Sequence, residues 1–294
     1  SAGTTPEIRK SKLKRLIESK KIVRILEAHS PLSGLVIEKL NITKNNELLE
    51  FDGMWSSSLT DSALRGKPDN QSVEYSTRIN WINEIFDVTT KPLIFDADNG
   101  GRVEHIKYIV SSLERIGGSS IIVEDKIGLK KNSLFKNQEG VSQDSIKEFS
   151  KKISAAKQAC ISDDFLIIAR IESFILGKTL KDALTRAEAY SKAGADAVLI
   201  HSKEKNPKQI FDFAKKFAKS KYYKPMVCVP STYSYVHEKE LIKKGFKVVI
   251  YANHMMRSSY PSMLNNAKRI LEAKKSSVIE KKISSVKEII DLIK

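Results

Sequence analysis

Apolar residues fall along this chain in short blocks, each closed by turn-forming or charged residues. Eight blocks stand out: Ile22 to Leu26, Phe51 to Trp55, Pro92 to Phe95, Ser120 to Val123, Phe165 to Ala169, Ala195 to Ile200, Pro225 to Val229 and Lys247 to Tyr251. Several run without alternation, the pattern of strands covered on both faces as in a parallel sheet. Between most of them lie stretches with helical periodicity: Val103 to Ile116, Gln143 to Cys160, Leu180 to Ala193, Pro207 to Ala218, Glu238 to Lys244 and Tyr260 to Ala273. Eight βα units in about 250 residues predict a (β/α)8 TIM barrel, because a doubly wound open sheet usually stops at five or six strands.

The polar residues that close the blocks support the same fold. They are Glu27 and His29, Ser57 and Ser58, Asp96 and Asp98, Glu124 and Asp125, Arg170 and Glu172, His201 and Ser202, and Asn253 and His254. In a barrel these strand ends converge on one rim, where the active sites of this fold lie. We read residues 1–20 as a basic leading helix and 21–275 as the catalytic barrel. Residues 276–294 hold a C-terminal amphipathic helix of the same domain, with a stripe of Val278, Ile283, Val286, Ile289, Ile290 and Ile293. The polar loop from Leu59 to Asn70 follows the second strand and is placed to cover the rim.

Composition narrows the class. The 294 residues are 41% hydrophobic with 13 Gly and 8 Pro, which excludes collagen-like, low-complexity and wholly disordered chains. No apolar run approaches the ~20 residues that a membrane span requires. Cys160 and Cys228 match no metal or redox spacing and read as small buried hydrophobes in a reducing compartment. The first residues lack an initiator Met and a signal-peptide core, reading as a processed end, and the cytoplasm is the expected location. A net charge of +16 suits nucleic acid, an anionic membrane or steering of a small anion. The lysines are spread along the chain and aromatics amount to 7% without interleaving, so neither a nucleic-acid nor a membrane partner is expected.

The chemistry concentrates at the strand ends. Asp96 and Asp98 flank Ala97 after the third strand, and Glu124 ends the next strand. Three converging carboxylates need a compensating cation, and hard oxygen donors suit Mg²⁺; capping of helices or pairing with lysines is the alternative. The segment Glu124-Asp125-Lys126-Ile127-Gly128-Leu129-Lys130-Lys131-Asn132-Ser133 offers an anion three lysines, an amide and a hydroxyl, or else is a solvated loop. Arg170, after an apolar strand, must meet Glu172 or a bidentate anion, and His201 is aimed at the same rim. Leu176-Gly177-Lys178-Thr179 ends like a phosphate loop, but Glu172 stands where its first glycine belongs, and no G-x-G-x-x-G follows a strand.

Taken together, Trp55-Ser56-Ser57-Ser58-Leu59-Thr60, Asp96-Ala97-Asp98, Glu124-Asp125-Lys126 with five residues before Asn132-Ser133, Ala169-Arg170-Ile171-Glu172 and Ile200-His201-Ser202 resemble the phosphoenolpyruvate mutase family of the phosphoenolpyruvate mutase/isocitrate lyase superfamily. The likeness runs from about Glu27 to Lys294. It implies a Mg²⁺-dependent isomerase, an intramolecular phosphotransferase that interconverts phosphoenolpyruvate and phosphonopyruvate and so makes the carbon–phosphorus bond of phosphonate biosynthesis. By the resemblance, Asp69 is the nucleophile that carries the phosphoryl group. Asp96 ligates the metal, helped by Asp98 and Glu124; Ser57, Ser58 and Leu59 with Arg170 hold the substrate carboxylate. Lys130, Asn132, Ser133 and His201 hold the phosphoryl group. Ser58 replaces the glycine of some members, and Asn99-Gly100-Gly101 departs from the usual pattern after Asp98.

Two relatives in the superfamily are the alternatives. Phosphonopyruvate hydrolase has Thr in the position of Asn132, and carbon–carbon lyases of the isocitrate lyase type place a catalytic Cys in the loop that here has none. The resemblance also implies a homodimer or homotetramer with C-terminal helices exchanged between subunits, acting on a small-molecule substrate.

Overall fold

The computed structural model describes residues 3–128 and 130–293; Ser1, Ala2, Leu129 and Lys294 lie outside the described residues. Each of the eight apolar blocks forms a strand: β1 (Val23–Glu27), β2 (Gly53–Ser56), β3 (Leu93–Asp96), β4 (Ser120–Glu124), β5 (Leu166–Ile171), β6 (Ala197–Ile200), β7 (Met226–Cys228) and β8 (Phe246–Tyr251). They pair in parallel in sequence order, and β8 closes on β1 with Val23 beside Val248 and Ile25 beside Ile250. The result is a closed (β/α)8 barrel. Helices Val103–Ile116 and Leu180–Ala193 span the residues that the periodicity assigns to them.

The leading helix α1 (Pro6–Ser19) is more than a solvated basic segment. Its Leu13 and Ile17 join one continuous core with Val23, Ile25, Trp55, Ile94, Ile122, Ile168, Leu199, Val248 and Ile250 from inside the barrel. The helix therefore plugs the end opposite the catalytic rim. Arg9 is buried beside them and donates to the carbonyls of Phe86 and Thr89 at 2.9 and 2.8 Å, just before β3. The approach is close enough that a Cβ at Gly117, whose φ is +93°, would lie 2.7 Å from the Pro6 Cα.

Two hairpins have no counterpart in the sequence reading. Asn41–Lys44 pairs with Glu47–Glu50 before β2, and Lys126–Gly128 pairs with Val141–Gln143 after β4. The second takes Gln143 out of the predicted helix, which starts instead at Ile146 with Ser145 as its cap. Cys228 is buried as expected, whereas Cys160 is only half-buried at a helix end. Among the described residues no helix is long and apolar enough to cross a membrane.

The chain divides into two compact units, Ser1–Asn253 and His254–Lys294. The second begins with one 20-residue helix, His254–Ala273, which absorbs the predicted Tyr260–Ala273 segment. Beyond it the expected continuous helix is broken into two 3₁₀ turns and a short helix, Val286–Leu292, because Ser285 caps a new start by accepting from the Glu288 N–H.

The plug generates a stability prediction. Leu13 is wholly buried, so Leu13→Ala should lower the unfolding free energy by about 2–5 kcal/mol, the usual cost of such a truncation with its cavity. Urea unfolding followed by circular dichroism measures it, and a loss below about 1 kcal/mol would show that the plug contributes little.

Candidate active site

The C-terminal ends of the strands surround a cavity of about 60 Å³. Eleven of the twelve residues singled out above line it: Ser57, Ser58, Leu59, Asp69, Asp96, Glu124, Lys130, Asn132, Ser133, Arg170 and His201. Asp98 stands just outside the lining and reaches the group through Lys130. Trp55, Leu134, Leu199, Val229, Ser231, Ala252 and Asn253 complete the wall; of these the sequence reading places Asn253 on the rim and Trp55 in the motif that closes the second strand.

The turn after β3 explains the placement of the acids. Asp96 is the last strand residue, and Asp98 sits in the left-handed region at φ +50°, uncommon for a residue with a side chain. Asp96 is clothed by donors: Ser58 N–H at 3.1 Å and Ser58 Oγ at 2.8 Å on Oδ2, and the Asp98 N–H at 3.1 Å on Oδ1. Burial works to raise its pKa, but Lys130, Arg170 and Arg78 outweigh this and hold the carboxyl below its ordinary range. Asp98 goes the other way, raised by burial and by the charge of Asp96 despite Lys130. Glu124, also buried, is pushed up to about 7 against the pull of Arg170 and Lys126.

Lys130 binds these acids together. Its ammonium donates to Asp98, to Asp69 Oδ1 at 3.2 Å and to Ser58 Oγ at 3.2 Å. Burial opposes its charge, yet Asp98, Glu124, Asp96 and Asp69 raise its pKa well above that of a free lysine. Asp69 also accepts from Asn132 Nδ2 at 3.3 Å. The loop after β2 and the hairpin loop after β4 thus meet over the cavity, side chain to side chain.

The opposite wall is a second charged group. Arg170 donates from Nε to Glu172 at 2.6 Å, and its Nη2 lies 2.8 Å from Ser133 Oγ, 3.0 Å from His201 Nδ1 and 3.2 Å from Glu124. Arg170 therefore meets Glu172, one of the two partners the sequence allowed. Burial and Arg170 lower the pKa of His201, favouring the neutral ring. The Ser133 hydroxyl is fully used: it accepts from Arg170 and from Lys126 Nζ at 2.7 Å, and donates to Glu172 at 2.5 Å. A phosphoryl group can take the Ser133 proton only by displacing Glu172.

The three acids expected to form one metal site are not gathered on a single point. Among the described residues no three His, Cys, Asp or Glu side chains form a metal-holding group, because Asp98 turns to Lys130 and Glu124 to Arg170 and Lys126. The donor chemistry still fits a hard cation. An ammonium already occupies the space among the carboxylates, and Mg²⁺ typically takes one or two carboxylates with water and substrate oxygens. Charge points the same way. Six carboxylates (Asp61, Asp69, Asp96, Asp98, Glu124, Glu172) face four cations (Arg78, Lys126, Lys130, Arg170), which, with every group counted as ionised, leaves a formal two negative charges for a divalent ion to offset.

Lys126, read from the sequence as one of three lysines offered to an anion, carries the loop to the wall through Ser133 and the Lys131 carbonyl, a structural role that the sequence reading does not give it. Arg78, buried beneath Asp96, has no role in that reading. Its signal was present: Arg78 stands on the same helical stripe as Ile79, Ile82, Ile85 and Phe86, where an arginine demands buried acceptors.

Comparison with known proteins agrees with this geometry. A sequence profile of the phosphoenolpyruvate phosphomutase family matches residues 13–271. Phosphoenolpyruvate phosphomutase of Tetrahymena pyriformis is 36% identical over 285 residues, covering 96% of this chain and 90% of that protein. Phosphonopyruvate hydrolase of Variovorax sp. (strain Pal2) is 35% identical over 286 residues, 95% of this chain and 93% of that one. Among solved structures, phosphoenolpyruvate phosphomutase from Streptomyces platensis subsp. rosaceus superimposes with a TM-score of 0.88 at 33% identity, covering 99% of this chain and 95% of that one. A phosphonopyruvate hydrolase in complex with oxalate and Mg²⁺ gives 0.86 at 31% identity, with the same coverage. The chain is an enzyme of the phosphoenolpyruvate phosphomutase family.

Proposed function

We propose that the enzyme interconverts phosphonopyruvate and phosphoenolpyruvate, with Asp69 as the transient phosphoryl carrier. The observation that carries this reading is the meeting of Asp69 with Lys130 and Asn132 over the cavity. A carboxylate nucleophile needs its attacking oxygen at the cavity edge and cations to accept the charge of a phosphoryl group. From phosphonopyruvate, Asp69 attacks phosphorus, the carbon–phosphorus bond breaks and its electron pair passes to the pyruvate enolate. The enolate oxygen then attacks the acyl phosphate, forming phosphoenolpyruvate and freeing Asp69. Lys130 and Asn132 steady the phosphoryl oxygens, with His201 and Arg170 on the far wall, while Ser57, Ser58 and Leu59 face the carboxylate end. Asp96, with Asp98 and Glu124 acting through water, is suited to hold Mg²⁺, which when bound supplies positive charge for the enolate and carboxylate oxygens. The oxalate and Mg²⁺ complex of the related hydrolase supports this, since oxalate is a planar dianion like the enolate.

Hydrolysis is the second reading, favoured by the 35% identity to phosphonopyruvate hydrolase; the family resemblance at Asn132 weighs for the mutase. Exposed Ile283, Val286, Ile289 and Ile290 in the C-terminal unit favour burial of that segment by a partner subunit.

Phosphorus NMR of the protein with phosphonopyruvate and Mg²⁺ tests the reaction. Phosphoenolpyruvate should accumulate, cease to form in EDTA and return with added Mg²⁺; inorganic phosphate alone would make the enzyme a hydrolase, and unchanged substrate would end both readings.

Asp69→Asn should lower kcat by roughly a thousandfold or more, as expected for loss of a covalent nucleophile. A variant that keeps a tenth of the wild-type rate would remove Asp69 from that role.

A further inference from the structure

The strained turn that presents Asp96 and Asp98 is gripped from beneath, carbonyl by carbonyl. Arg78 Nη1 donates to the Asp96 carbonyl at 2.5 Å. One helical turn earlier, Tyr75 OH donates to the Ala97 carbonyl at 2.7 Å, which the Gly100 N–H also reaches at 2.8 Å. The Asp98 carbonyl accepts from the Glu124 N–H at 2.7 Å, and that of Asn99 from the buried Lys152 at 2.7 Å. No carbonyl of the four-residue turn is left to solvent. Gly100, at φ +73°, is obligatory, since a Cβ there would lie 2.9 Å from Ile106 and 3.0 Å from Val123.

Arg78 is the centre of this grip. It is 1% exposed, and besides Asp96 it donates to Asp61 Oδ2 at 2.8 Å and to the Ser56 carbonyl at 3.1 Å, thereby joining the ends of β2 and β3. The guanidinium lies 4.3 Å above the Phe95 ring, and Tyr75 packs on the same ring with centroids 6.3 Å apart. A planar fork spans three acceptors at fixed angles; an ammonium on a flexible stem does not. A left-handed aspartate of this kind persists only where its surroundings over-determine it.

We propose that Tyr75 and Arg78 are positioning residues that hold the Asp96-Ala97-Asp98 turn in its cation-binding shape, so that affinity for the divalent ion depends on two side chains that never touch it. The inference rests on the function proposed above, in that Asp96 and Asp98 serve a divalent cation. A merely structural pair would contribute to folding and leave ion affinity alone.

The test is Mn²⁺ binding to the full chain, followed by electron paramagnetic resonance of the free ion, with thermal unfolding and steady-state kinetics alongside. Tyr75→Phe removes one hydroxyl and should weaken Mn²⁺ binding about three- to tenfold, the range for one lost hydrogen bond. Arg78→Lys should weaken it at least about tenfold, with kcat falling more than the KM for phosphonopyruvate rises. Both variants folded with Mn²⁺ affinity within twofold of wild type would overturn the proposal, as would lowered thermal stability with unchanged affinity. Should Arg78→Lys fail to fold, Tyr75→Phe decides alone, and wild-type affinity in it refutes the clamp. Wild type that binds no Mn²⁺ also refutes it. Wild type that binds Mn²⁺ but leaves phosphonopyruvate unchanged defeats the proposed reaction, while the variants still judge the clamp.

Discussion

Concentrating carboxylates in a cavity that water barely enters is the constraint on which the site depends. Burial penalises each charge, and the penalty shows in the raised pKa of Asp98 and Glu124. Where cations approach closely the direction reverses: Asp96 is lowered by Lys130, Arg170 and Arg78, and Glu172 falls well below the usual range beside Arg170 and His201. The same rim therefore carries acids whose pKa is lowered, Asp96 and Glu172, beside acids whose pKa is raised, Asp98 and Glu124. That division is the common means by which neighbouring carboxylates take different roles, and it needs each cation in place. Lys130 and Lys126 come from the hairpin loop, Arg170 from β5 and Arg78 from a helix packed beneath β3. Electrostatics thus joins elements that share little apolar contact at this end of the barrel.

Much of this was legible in the chain because the strands are short, uninterrupted and closed by chemistry. Ile121-Ile122-Val123-Glu124 can only be a buried strand that delivers an acid to an edge, and eight such blocks leave little choice of fold. The pairing of Arg170 with Glu172 followed from the cost of burying an unpaired guanidinium. What stayed hidden depends on partners distant in sequence. Nothing local in Pro6–Ser19 says that Leu13 and Ile17 end inside the barrel, because the helix is mostly charged and its apolar face narrow. The exposed Asn41–Glu50 hairpin also lacks the usual signal: Ile42 and Leu49 form a cross-strand pair, but no buried face enforces alternation. Its turn is marked only by Asn45 and Asn46, both in the left-handed region.

The acids expected at the metal site turn toward cations that their spacing does not reveal. The sequence leaves two readings open for Asp96, Asp98 and Glu124, a shared cation or pairing with lysines, and the second describes Asp98 on Lys130 and Glu124 near Lys126. Spacing along β3 and β4 does place them close, but the direction of each carboxylate is set by whichever cation reaches it first, and those cations lie from two to more than forty residues away. A lysine on a loop can vacate such a position when a divalent ion competes for the same oxygens, which a buried arginine fixed by three acceptors cannot. Lys130 and Arg78 thus touch the same turn with opposite freedoms: one exchangeable above it, one fixed beneath it.

That asymmetry extends to the hairpin loop itself. Its base is fastened: Gln143 donates to Asp125 at 2.8 Å and Ser173 at 3.0 Å, while Asp125 accepts from Tyr190 at 2.8 Å and from the Glu172 N–H at 2.9 Å. Among the described residues its tip is held by Lys126 on Ser133 and the Lys131 carbonyl, and by contacts that a phosphoryl group would contest: Lys130 on the acids, Asn132 on Asp69 and Ser133 on Glu172. A phosphoryl group entering between Asp69 and Arg170 must replace those contacts with its own oxygens. In the proposed reaction the loop would then close on the substrate, and the tip residues that bind the phosphoryl oxygens would be the ones that shut out water. With Asp69 as the proposed phosphoryl carrier, rearrangement and hydrolysis share every step up to the phosphorylated aspartate, and the outcome turns on whether the enolate oxygen or a water reaches phosphorus first. In the proposed reaction, Lys130, Asn132 and Ser133 at the tip are the side chains placed to decide that contest. Two relatives of nearly equal identity to this chain carry different names, mutase and hydrolase, so overall likeness does not choose between the outcomes and the site must.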